Sequence, residues 1–281
     1  MRDAVRPWTR EHALFIKFYP CVNFTSQIHF LYYYQDFFPV LLSRKARGMS
    51  DRKGTVHIGE MTRREFRQAR EAGHFSACII PTGAIEQHLE HIEMGHDTRS
   101  IIWIAEQVAQ RLYPDVVVAP AMHIGISEHH MIHKGSMSAK PGSWLAVLFD
   151  AVESMVRNGC THVLVLNGHG GNKLPVEGVL PQWNMYFEHM HPGVNVDFQS
   201  YWELSREEAE AVATTGVPGH ATEYETSMAL YMFPESVRHD AMHDQEQKQP
   251  LEGTVEKGEK LVEITLRTVT EYLQDMIAAT R

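Results

Sequence analysis

The sequence predicts an α/β fold with three α/β/α layers, in which helices cover both faces of a mostly parallel central sheet. Short continuous apolar runs alternate along the chain with longer segments whose apolar residues recur at helical spacing. Strands of a parallel sheet are buried on both faces, so they read as continuous apolar runs joined by crossover helices. Loops rich in histidine and carboxylate residues follow several of these strands, as expected where ligands bind at the carboxyl edge of such a sheet.

Apolar periodicity places the elements in a single alternating series. The runs that read as strands are short and stop at glycine, proline or polar residues, whereas most helical segments are longer. In order, the predicted elements are helix 59–73, strand 75–80, helix 98–112, strand 115–120, helix 143–158, strand 161–166, helix 173–190, strand 194–198, helix 205–213, helix 226–232 and helix 254–279.

Capping residues and helix breakers set several of these boundaries. Thr62 and Ser143 are placed as helix N-caps, because their hydroxyls can accept hydrogen bonds from the free N–H groups of a first turn. Ser205 and Glu208 form a capping-box pattern, which predicts a helix that begins after Ser205. Pro181 lacks the N–H that a helix interior uses, so we expect it to kink or divide its helix.

Length and charge limit the class of protein. The chain has 281 residues, enough for one large α/β domain, and a net charge of −9. An acidic balance without a basic stripe argues against a nucleic-acid partner, since phosphate binding favours basic surfaces. No apolar stretch is long and clean enough for a membrane helix, and the three widely spaced cysteines do not form a disulfide framework. We therefore expect a cytoplasmic protein with neither a membrane nor a nucleic-acid partner.

The N-terminal segment differs in composition from the rest of the chain. Residues 13–42 are rich in aromatic side chains, yet polar residues interrupt them too often for a membrane helix or a secretory signal. A more ordinary sequence begins at Met49. We predict an N-terminal extension over 1–48 that lies outside the catalytic fold, and a single domain over 49–281.

The densest group of metal-binding side chains lies within residues 80–98. Glu86 and His88 are two positions apart, so their side chains point the same way if the backbone is extended. A carboxylate and an imidazole that converge on one point suit a divalent transition metal. Taken alone, this segment is equally compatible with a polar surface loop.

Candidate ligands occur in three separate loops, which share one edge of a parallel sheet. Nitrogen and oxygen ligands without a thiolate favour Zn(II), Mn(II) or Fe(II). More than three strong ligands, including carboxylates able to bridge, favour two metal ions. Glu223, His91 and His96 are expected to contact ligand residues or face solvent rather than to bind metal directly. The candidates are Glu86, His88 and Asp97 in the first loop, His169 in the second, and His220, Glu223 and Glu225 in the third.

The order of these motifs resembles that of the creatininase (creatinine amidohydrolase) family, over about residues 57–235. The resemblance implies a creatininase-like three-layer fold, two divalent metal ions per chain, and hydrolysis of a C–N bond in a small amide, cyclic amide or formamide. It also implies a homo-oligomer, often a hexamer. The motifs are Glu86-Gln87-His88 with Asp97 downstream, Asn167-Gly-His-Gly-Gly-Asn172, and His220-Ala221 with Glu225-Thr226-Ser227.

The resemblance also implies roles for individual residues. His220 is similar to the family's catalytic histidine, which we expect to protonate the leaving nitrogen. Asp97 is expected to bridge the two ions. The remaining metal ligands implied are Glu86, His88, His169 and Glu225. Substrate contact is expected from Glu128, His129, Asn167, Gly170 and Gly171, in loops that follow predicted strands, and His130 and Trp202 are further candidates for the pocket wall.

Departures from the family pattern bear on the substrate. Gly170-Gly171 stands where creatininase has an aromatic residue and a ligating glutamate, so Glu225 is expected to complete the site. Leu89-Glu90 replaces a common Gly-Pro, and Gly216 stands where creatininase has a tryptophan. Activity on creatinine itself is therefore not expected. Two alternatives stay open: a metallopeptidase of the same fold acting on a small modified peptide, and a non-catalytic scaffold or regulatory homologue, against which the intact ligand set argues.

Overall fold

A four-stranded parallel sheet forms the centre of the structure. The computed structural model describes residues 53–279, so the predicted extension over 1–48 lies outside the described residues. The strand order is β2-β1-β3-β4, and every neighbouring pair runs parallel. The strands are β1 (Ala77–Thr82), β2 (Val116–Val118), β3 (His162–Asn167) and β4 (Asn195–Ser200).

Eight α-helices surround this sheet within residues 53–279. None of them is long and apolar enough to cross a lipid bilayer. They are α1 (Arg63–Glu71), α2 (His96–Arg111), α3 (Pro141–Arg157), α4 (Gly170–Met190), α5 (Tyr201–Ala209), α6 (Glu223–Met232), α7 (His239–His243) and α8 (Val255–Ala278).

Alternate residues of β1, β2 and β3 enter two separate cores, and β4 contributes to one of them. On β1, Ala77 and Ile79 pack with helices α2, α5, α6 and α8, whereas Cys78 and Ile80 pack with α1, α3 and α4. Both faces of the sheet are therefore buried, which explains the continuous apolar runs of the strands. The predicted three-layer α/β/α architecture is confirmed.

The helix boundaries confirm one predicted cap, correct two others and show that one predicted break is absent. Thr62 caps α1 as part of a capping box. Ser143 and Ser205 are not caps: α3 begins two residues earlier, at Pro141, and α5 begins directly after β4, so that Ser205 is buried and bonds to the Tyr201 carbonyl. Pro181 does not divide α4, which runs from Gly170 to Met190. Packing against the sheet outweighs these local signals.

Among the helices that begin earlier than predicted, α2 and α6 matter for the site because they carry candidate ligands. The first residues of α2 and α6 are His96 and Glu223, rather than residues near 98 and 226. Asp97 and Glu225 therefore lie in the first turns of their helices. The helix dipole and the free N–H groups of a first turn favour a carboxylate there.

Helices α6 and α8 pack so closely that Gly258 leaves no room for a side chain. A Cβ atom at this position would lie 2.0 Å from the Ser227 carbonyl oxygen. Because backbone is displaced less easily than a flexible side chain, we expect Gly258→Ala to lower the free energy of unfolding by about 1–3 kcal/mol.

A second helical glycine supplies the control for this prediction. The Cβ position of Gly178, in α4, has no neighbouring atom within 4 Å. Gly178→Ala should be neutral or raise the free energy of unfolding by about 0.5–1 kcal/mol, because alanine loses less backbone entropy than glycine on folding. Denaturant unfolding of both variants measures the difference, and equal effects would contradict the tight packing at Gly258.

Candidate metal centre

Five predicted ligand residues meet at the carboxyl edge of the sheet. Glu86 and His88 follow β1, Asp97 and Glu225 lie in the first turns of α2 and α6, and His169 follows β3. All five are buried, with exposed fractions between 0% for His88 and 8% for Glu225. The chain therefore brings together side chains that are as many as 139 positions apart, from Glu86 to Glu225.

Asp97 occupies the middle of this group. Its Oδ1 lies 2.9 Å from Nε2 of His88, and its Oδ2 lies 3.1 Å from Nδ1 of His169. His169 Nδ1 is also 3.2 Å from Glu86 Oε1, and His88 Nε2 is 3.8 Å from Glu225 Oε2. The two oxygens of the Asp97 carboxylate thus face the imidazoles of two different histidines, as a carboxylate that bridges two metal ions would.

Two donor trios share Asp97. In each trio, one ligand atom per residue lies within 4.8 Å of the others. Each trio combines one imidazole with two carboxylates, a donor set that suits Zn(II), Mn(II) or Fe(II). Glu86 also takes part in two other groups of the same kind, one with His129 and His130 and one with His88 and His220. The trios that share Asp97 are His88–Asp97–Glu225 and Glu86–Asp97–His169.

A buried oxygen without a partner tests whether these residues fit a cation. Glu86 Oε2 is buried and accepts no hydrogen bond within the described part of the chain. A carboxylate oxygen taken from water without compensation is costly. A cation beside Glu86 would satisfy that oxygen, so the residues present fit metal ions.

Hydrogen bonds behind the ligands orient the two imidazoles. His88 Nδ1 lies 3.1 Å from the Glu86 carbonyl oxygen, to which it donates, so Nε2 faces Asp97 and becomes available as a ligand once the ring loses its second proton. His169 Nε2 lies 3.2 Å from the Ile126 carbonyl and 3.1 Å from Ser127 Oγ, which leaves Nδ1 for the carboxylates. Such outer contacts fix the tautomer of a ligating histidine.

Charge coupling shifts the pKa values of the buried ligands in the metal-free protein. Burial disfavours an imidazolium, but Asp97 outweighs it and raises the pKa of His88 to about 9. His169 is likewise buried, yet its contacts with Asp97 and Glu86 raise its pKa to about 10. Burial opposes ionisation of Asp97 too, but His88 and His169 hold its pKa below the usual range. Burial raises the pKa of Glu225 to about 8.

These shifts predict that metal uptake releases protons. At pH 7, His88, His169 and Glu225 lie below pKa values of about 9, 10 and 8, so all three carry a proton in the metal-free protein. Ligands must lose these protons to bind a metal. Calorimetric titration with Mn²⁺ at pH 7 in buffers of different ionisation enthalpy should show up to three protons released, and the affinity should rise between pH 7 and 10. Binding without proton release would contradict this ligand set.

A cavity of about 390 Å³ lies beside the candidate ligands. Three of the residues predicted to contact substrate, His129, Gly170 and Gly171, line it together with His220. A Cβ atom on Gly171 would lie 2.1 Å from the Ile126 carbonyl oxygen, so this position accepts only glycine. The Cβ position of Gly170 is open within 4 Å, so this glycine leaves free space.

The other two predicted contact residues do not line the cavity. Glu128 is exposed, and its carboxylate pairs with the Lys140 ammonium at 3.0 Å. Asn167 is buried beneath His169: its Nδ2 donates to the His169 carbonyl at 2.7 Å, and its Oδ1 accepts from the His169 N–H at 3.1 Å. Substrate contact by these two residues stays a prediction, and in this structure Glu128 faces solvent while Asn167 holds the backbone of His169.

His220 stands at the wall of this cavity with its two ring nitrogens in different surroundings. Nδ1 is 3.7 Å from Glu86 Oε1, and Nε2 is 2.7 Å from the Gln87 carbonyl oxygen. The Gln87 carbonyl oxygen can only accept a hydrogen bond from Nε2, whereas the Gln87 side-chain NH₂ group, 2.8 Å from the same nitrogen, can only donate to it. Burial, reinforced by the charge of His88, lowers the pKa of His220 to about 4, so the ring is neutral at neutral pH in the metal-free protein and one of its nitrogens has a lone pair.

A buried carboxylate anchors the loop that carries His220. Glu223 Oε2 accepts from the backbone N–H groups of Thr214 and Thr215 at 2.7 and 2.8 Å, and Oε1 pairs with Lys257 Nζ at 2.5 Å. Glu223 belongs to none of the candidate donor groups. This placement matches the expectation that Glu223 supports the site rather than ligating.

Sequence reasoning missed Gln87, whose side chain reaches two histidines of the cavity wall. Its Nε2 is 3.0 Å from His130 Nδ1 and 2.8 Å from His220 Nε2. The only sequence signal was its position between Glu86 and His88. Trp202 does line the cavity, as considered from the sequence. His96 is buried, but it belongs to none of the candidate donor groups.

Similarity to known proteins agrees with this geometry. The family model "Creatininase: Creatinine amidohydrolase" matches residues 59–271. Creatinine amidohydrolase of Pseudomonas putida is 23% identical over 259 residues, which cover 79% of this chain and 97% of that protein. The 3-dehydro-scyllo-inosose hydrolase of Thermotoga maritima is 26% identical over 219 residues, which cover 75% of this chain and 68% of that protein. The mycofactocin precursor peptide peptidase of Mycobacterium ulcerans is 27% identical over 173 residues, which cover 59% of this chain and 62% of that protein.

Solved structures share the fold. A mutant creatininase described as Zn-Zn type superposes with a TM-score of 0.67 at 22% identity and covers 79% of this chain and 98% of its own. A structure described as "Creatininase Mn" gives the same TM-score of 0.67 at 21% identity, with the same coverage of 79% and 98%. At 22% and 21% identity, these two matches show a shared fold.

Proposed function

The chain belongs to the creatininase family, and from this membership we propose that it is a metal-dependent amidohydrolase. As a creatininase-family hydrolase, it would cleave a C–N bond of a small amide, cyclic amide or formamide with water. The observation that carries this proposal is the position of Asp97 between two trios, each with an imidazole and a second carboxylate. Such an arrangement fits two divalent ions, and Zn(II), Mn(II) and Fe(II) all suit the donors.

The residues that would hold the ions are His88, Asp97 and Glu225 on one side and Glu86, Asp97 and His169 on the other. When bound, a pair of divalent ions supplies Lewis-acid chemistry that polarises the scissile carbonyl and increases the acidity of a water molecule. The burial of these ligands excludes bulk water, which strengthens every electrostatic contact within the site.

His220 supports the proton transfers of this proposal. Amide hydrolysis removes a proton from the attacking water and adds one to the leaving nitrogen. The neutral ring of His220 lines the cavity and has one nitrogen with a lone pair, so it can accept the first proton and then donate it to the leaving nitrogen as the C–N bond breaks. The sequence predicted only the second of these steps.

The lining of the cavity indicates a small, uncharged and polar substrate. A volume of about 390 Å³ fits a ring-sized molecule, and no lysine or arginine occurs among the residues that line it within the described chain. Trp202 adds an aromatic surface to this lining. Because Gly170 and Gly171 occupy the positions at which creatininase has an aromatic residue and a ligating glutamate, we propose a substrate other than creatinine.

A peptidase of the same fold is the second candidate, favoured by the relative from Mycobacterium ulcerans that is named a peptide peptidase. A peptide substrate would need an open cleft beyond the present cavity. Hydrolysis of short peptides in preference to cyclic amides and formamides would select this alternative.

We also propose a reducing, cytoplasmic setting and a homo-oligomeric assembly. Cys78 and Cys160 are free and buried, which suits a reducing compartment. Size-exclusion chromatography with light scattering tests the assembly, and a monomer at micromolar concentration would contradict it.

The experiment that tests the proposed function combines metal analysis with a hydrolysis screen. The full chain is purified without chelators, and its content of Zn, Mn and Fe is measured per chain. A panel of cyclic amides and formamides is then assayed before metal removal, after it, and after metal return. About two equivalents of metal and a metal-dependent turnover are expected. A chain that neither contains nor takes up metal would overturn the hydrolase mechanism and favour the scaffold alternative.

A further inference from the structure

A buried histidine joins two of the segments that carry ligands of one trio. His91 has an exposed fraction of 0%, and it belongs to none of the candidate donor groups in the described part of the chain. Its Nε2 lies 2.8 Å from Oγ1 of Thr226. His91 is three positions after His88, and Thr226 directly follows Glu225. The contact therefore links the loop after β1 to the first turn of α6.

The direction of each hydrogen bond at His91 follows from a backbone N–H group. The N–H of Glu90 donates to Gln245 Oε1 at 3.2 Å, and a backbone N–H can only donate. The other end of this amide, Nε2, therefore donates to His91 Nδ1, which is 3.2 Å away. The neutral ring then carries its hydrogen on Nε2, so His91 donates to the Thr226 hydroxyl.

The Thr226 hydroxyl extends this series of hydrogen bonds to the backbone. It accepts from His91 and uses its single hydrogen to donate to the Ala221 carbonyl oxygen at 3.3 Å. Each group therefore donates to the next one without conflict, and hydrogen bonds arranged in this way strengthen one another. We call the series Gln245–His91–Thr226–Ala221 the His91 network.

Ala221 is the residue that the His91 network holds. Its φ is 51°, in the left-handed region that few non-glycine residues occupy, and such a conformation persists only where its surroundings fix it. The N–H of Ala221 donates to Glu225 Oε2 at 2.5 Å, and the same oxygen lies 3.8 Å from Nε2 of His88. The Ala221 backbone therefore sets the Glu225 carboxylate opposite His88. His220 is the residue directly before Ala221.

We propose that His91 and Thr226 are positioning residues that hold the Ala221 backbone in place. Through Ala221 they set the Glu225 carboxylate for metal binding and the position of His220 at the cavity wall. The inference rests on the proposed amidohydrolase function, and it assigns a role in that site to two residues outside the donor groups.

The two trios differ in their dependence on the His91 network. Glu225 belongs to the trio with His88 and is bonded to Ala221. Among the described residues, no hydrogen bond joins the network to Glu86 or His169, which belong to the other trio. Loss of the network should therefore weaken the binding of one ion and spare the other.

Calorimetric titration of Mn²⁺ into the full chain tests this selectivity. Thr226→Val removes the hydroxyl and keeps the shape of the side chain. We expect it to weaken the binding of one ion by about 10–100-fold, the usual cost of substitutions just outside the direct ligands, and to leave the other affinity unchanged. Thr226→Ser keeps the hydroxyl and should bind both ions as the wild type does. Equal weakening of both ions, or of neither, would overturn the proposal.

Two further variants complete the titration. Glu225→Gln removes a ligand of the affected trio and identifies which of the two affinities belongs to it. Thr265→Val is the matched control, because Thr265 of α8 is buried to the same extent as Thr226 and takes no part in the His91 network. This control should bind both ions as the wild type does. A loss of affinity equal to that of Thr226→Val would overturn the proposal.

His91→Phe tests the network from its other end. It keeps an aromatic ring but removes the donor to Thr226, so it should weaken the same ion as Thr226→Val does. The double variant should be no weaker than either single variant, because both remove the same contact. Additive losses would mean that the two residues act separately. A Thr226→Val chain that does not fold would leave His91→Phe to decide the question.

Amide hydrogen exchange gives a readout that requires neither metal nor turnover. In the full chain without added metal, the Ala221 N–H should exchange up to about tenfold faster in Thr226→Val than in the wild type, the equivalent of one lost hydrogen bond. Unchanged exchange would overturn the proposal whether or not the chain binds metal. A wild type that takes up no metal and hydrolyses no amide would instead refute the proposed function, so the two failures are distinct.

Discussion

Replacing Asp97 by alanine is expected to remove both metal ions and to abolish hydrolysis. Asp97 contributes to both donor trios, and its two oxygens lie 2.9 and 3.1 Å from the nitrogens of His88 and His169. Each trio would be left with two ligands, fewer than a transition-metal site needs. The loss in activity should exceed the roughly 10–100-fold that removal of an outer hydrogen-bond partner costs a metal site.

Metal content per chain, measured by mass spectrometry after purification without chelators, is the direct test. Asp150→Ala is the control, because it makes the same chemical change at an exposed position of α3. Thermal unfolding with and without added Zn²⁺ gives an independent readout, since a metal that binds only the folded state stabilises it. An Asp97→Ala variant that keeps about two ions would place the bridge on another residue.

The strand ends and their polar loops were the part of this protein that the sequence could predict. A parallel strand buried on both faces leaves a continuous apolar run, and the candidate ligands follow where the run stops, as Glu86 follows β1 and His169 follows β3. Asp97 and Glu225 were among the candidate ligands in these loops, and the family resemblance then implied that both bind metal and that Asp97 is the bridge. Their helices begin two and three residues before the predicted starts, because local signals do not report where a helix docks on a sheet.

Expectations failed where tertiary contacts decide what a side chain does. Ser205 matches the capping pattern, but burial of α5 against the sheet makes it an interior residue. Glu128 follows a strand, yet its partner is Lys140 at the surface. Gln87 lies between two predicted ligands, and only the folded chain shows that its amide reaches His130, which is 43 positions away. Spacing therefore identified residues near the site but could not separate contact residues from supporting ones.

Replacing His220 by alanine is expected to lower kcat by about 10²–10⁴-fold, the usual contribution of general acid–base catalysis, while metal content stays at the wild-type value. The His220 ring is neutral and lines the cavity wall, and its Nε2 lies 2.7 Å from the Gln87 carbonyl oxygen. The two trios that share Asp97 are complete without it. The loss should therefore appear in the chemical step rather than in metal binding.

The same substitution separates the two roles that the structure allows for His220. Glu86, His88 and His220 form a candidate donor group of their own, so a ligand role for His220 predicts loss of metal in His220→Ala. A proton-transfer role predicts full metal content with slow turnover. His243→Ala, at an exposed position of α7, controls for removal of an imidazole elsewhere on the chain. The two trios require Asp97 but not His220. We therefore expect Asp97→Ala to contain no metal and to be inactive, and His220→Ala to contain its full metal complement and to turn over slowly.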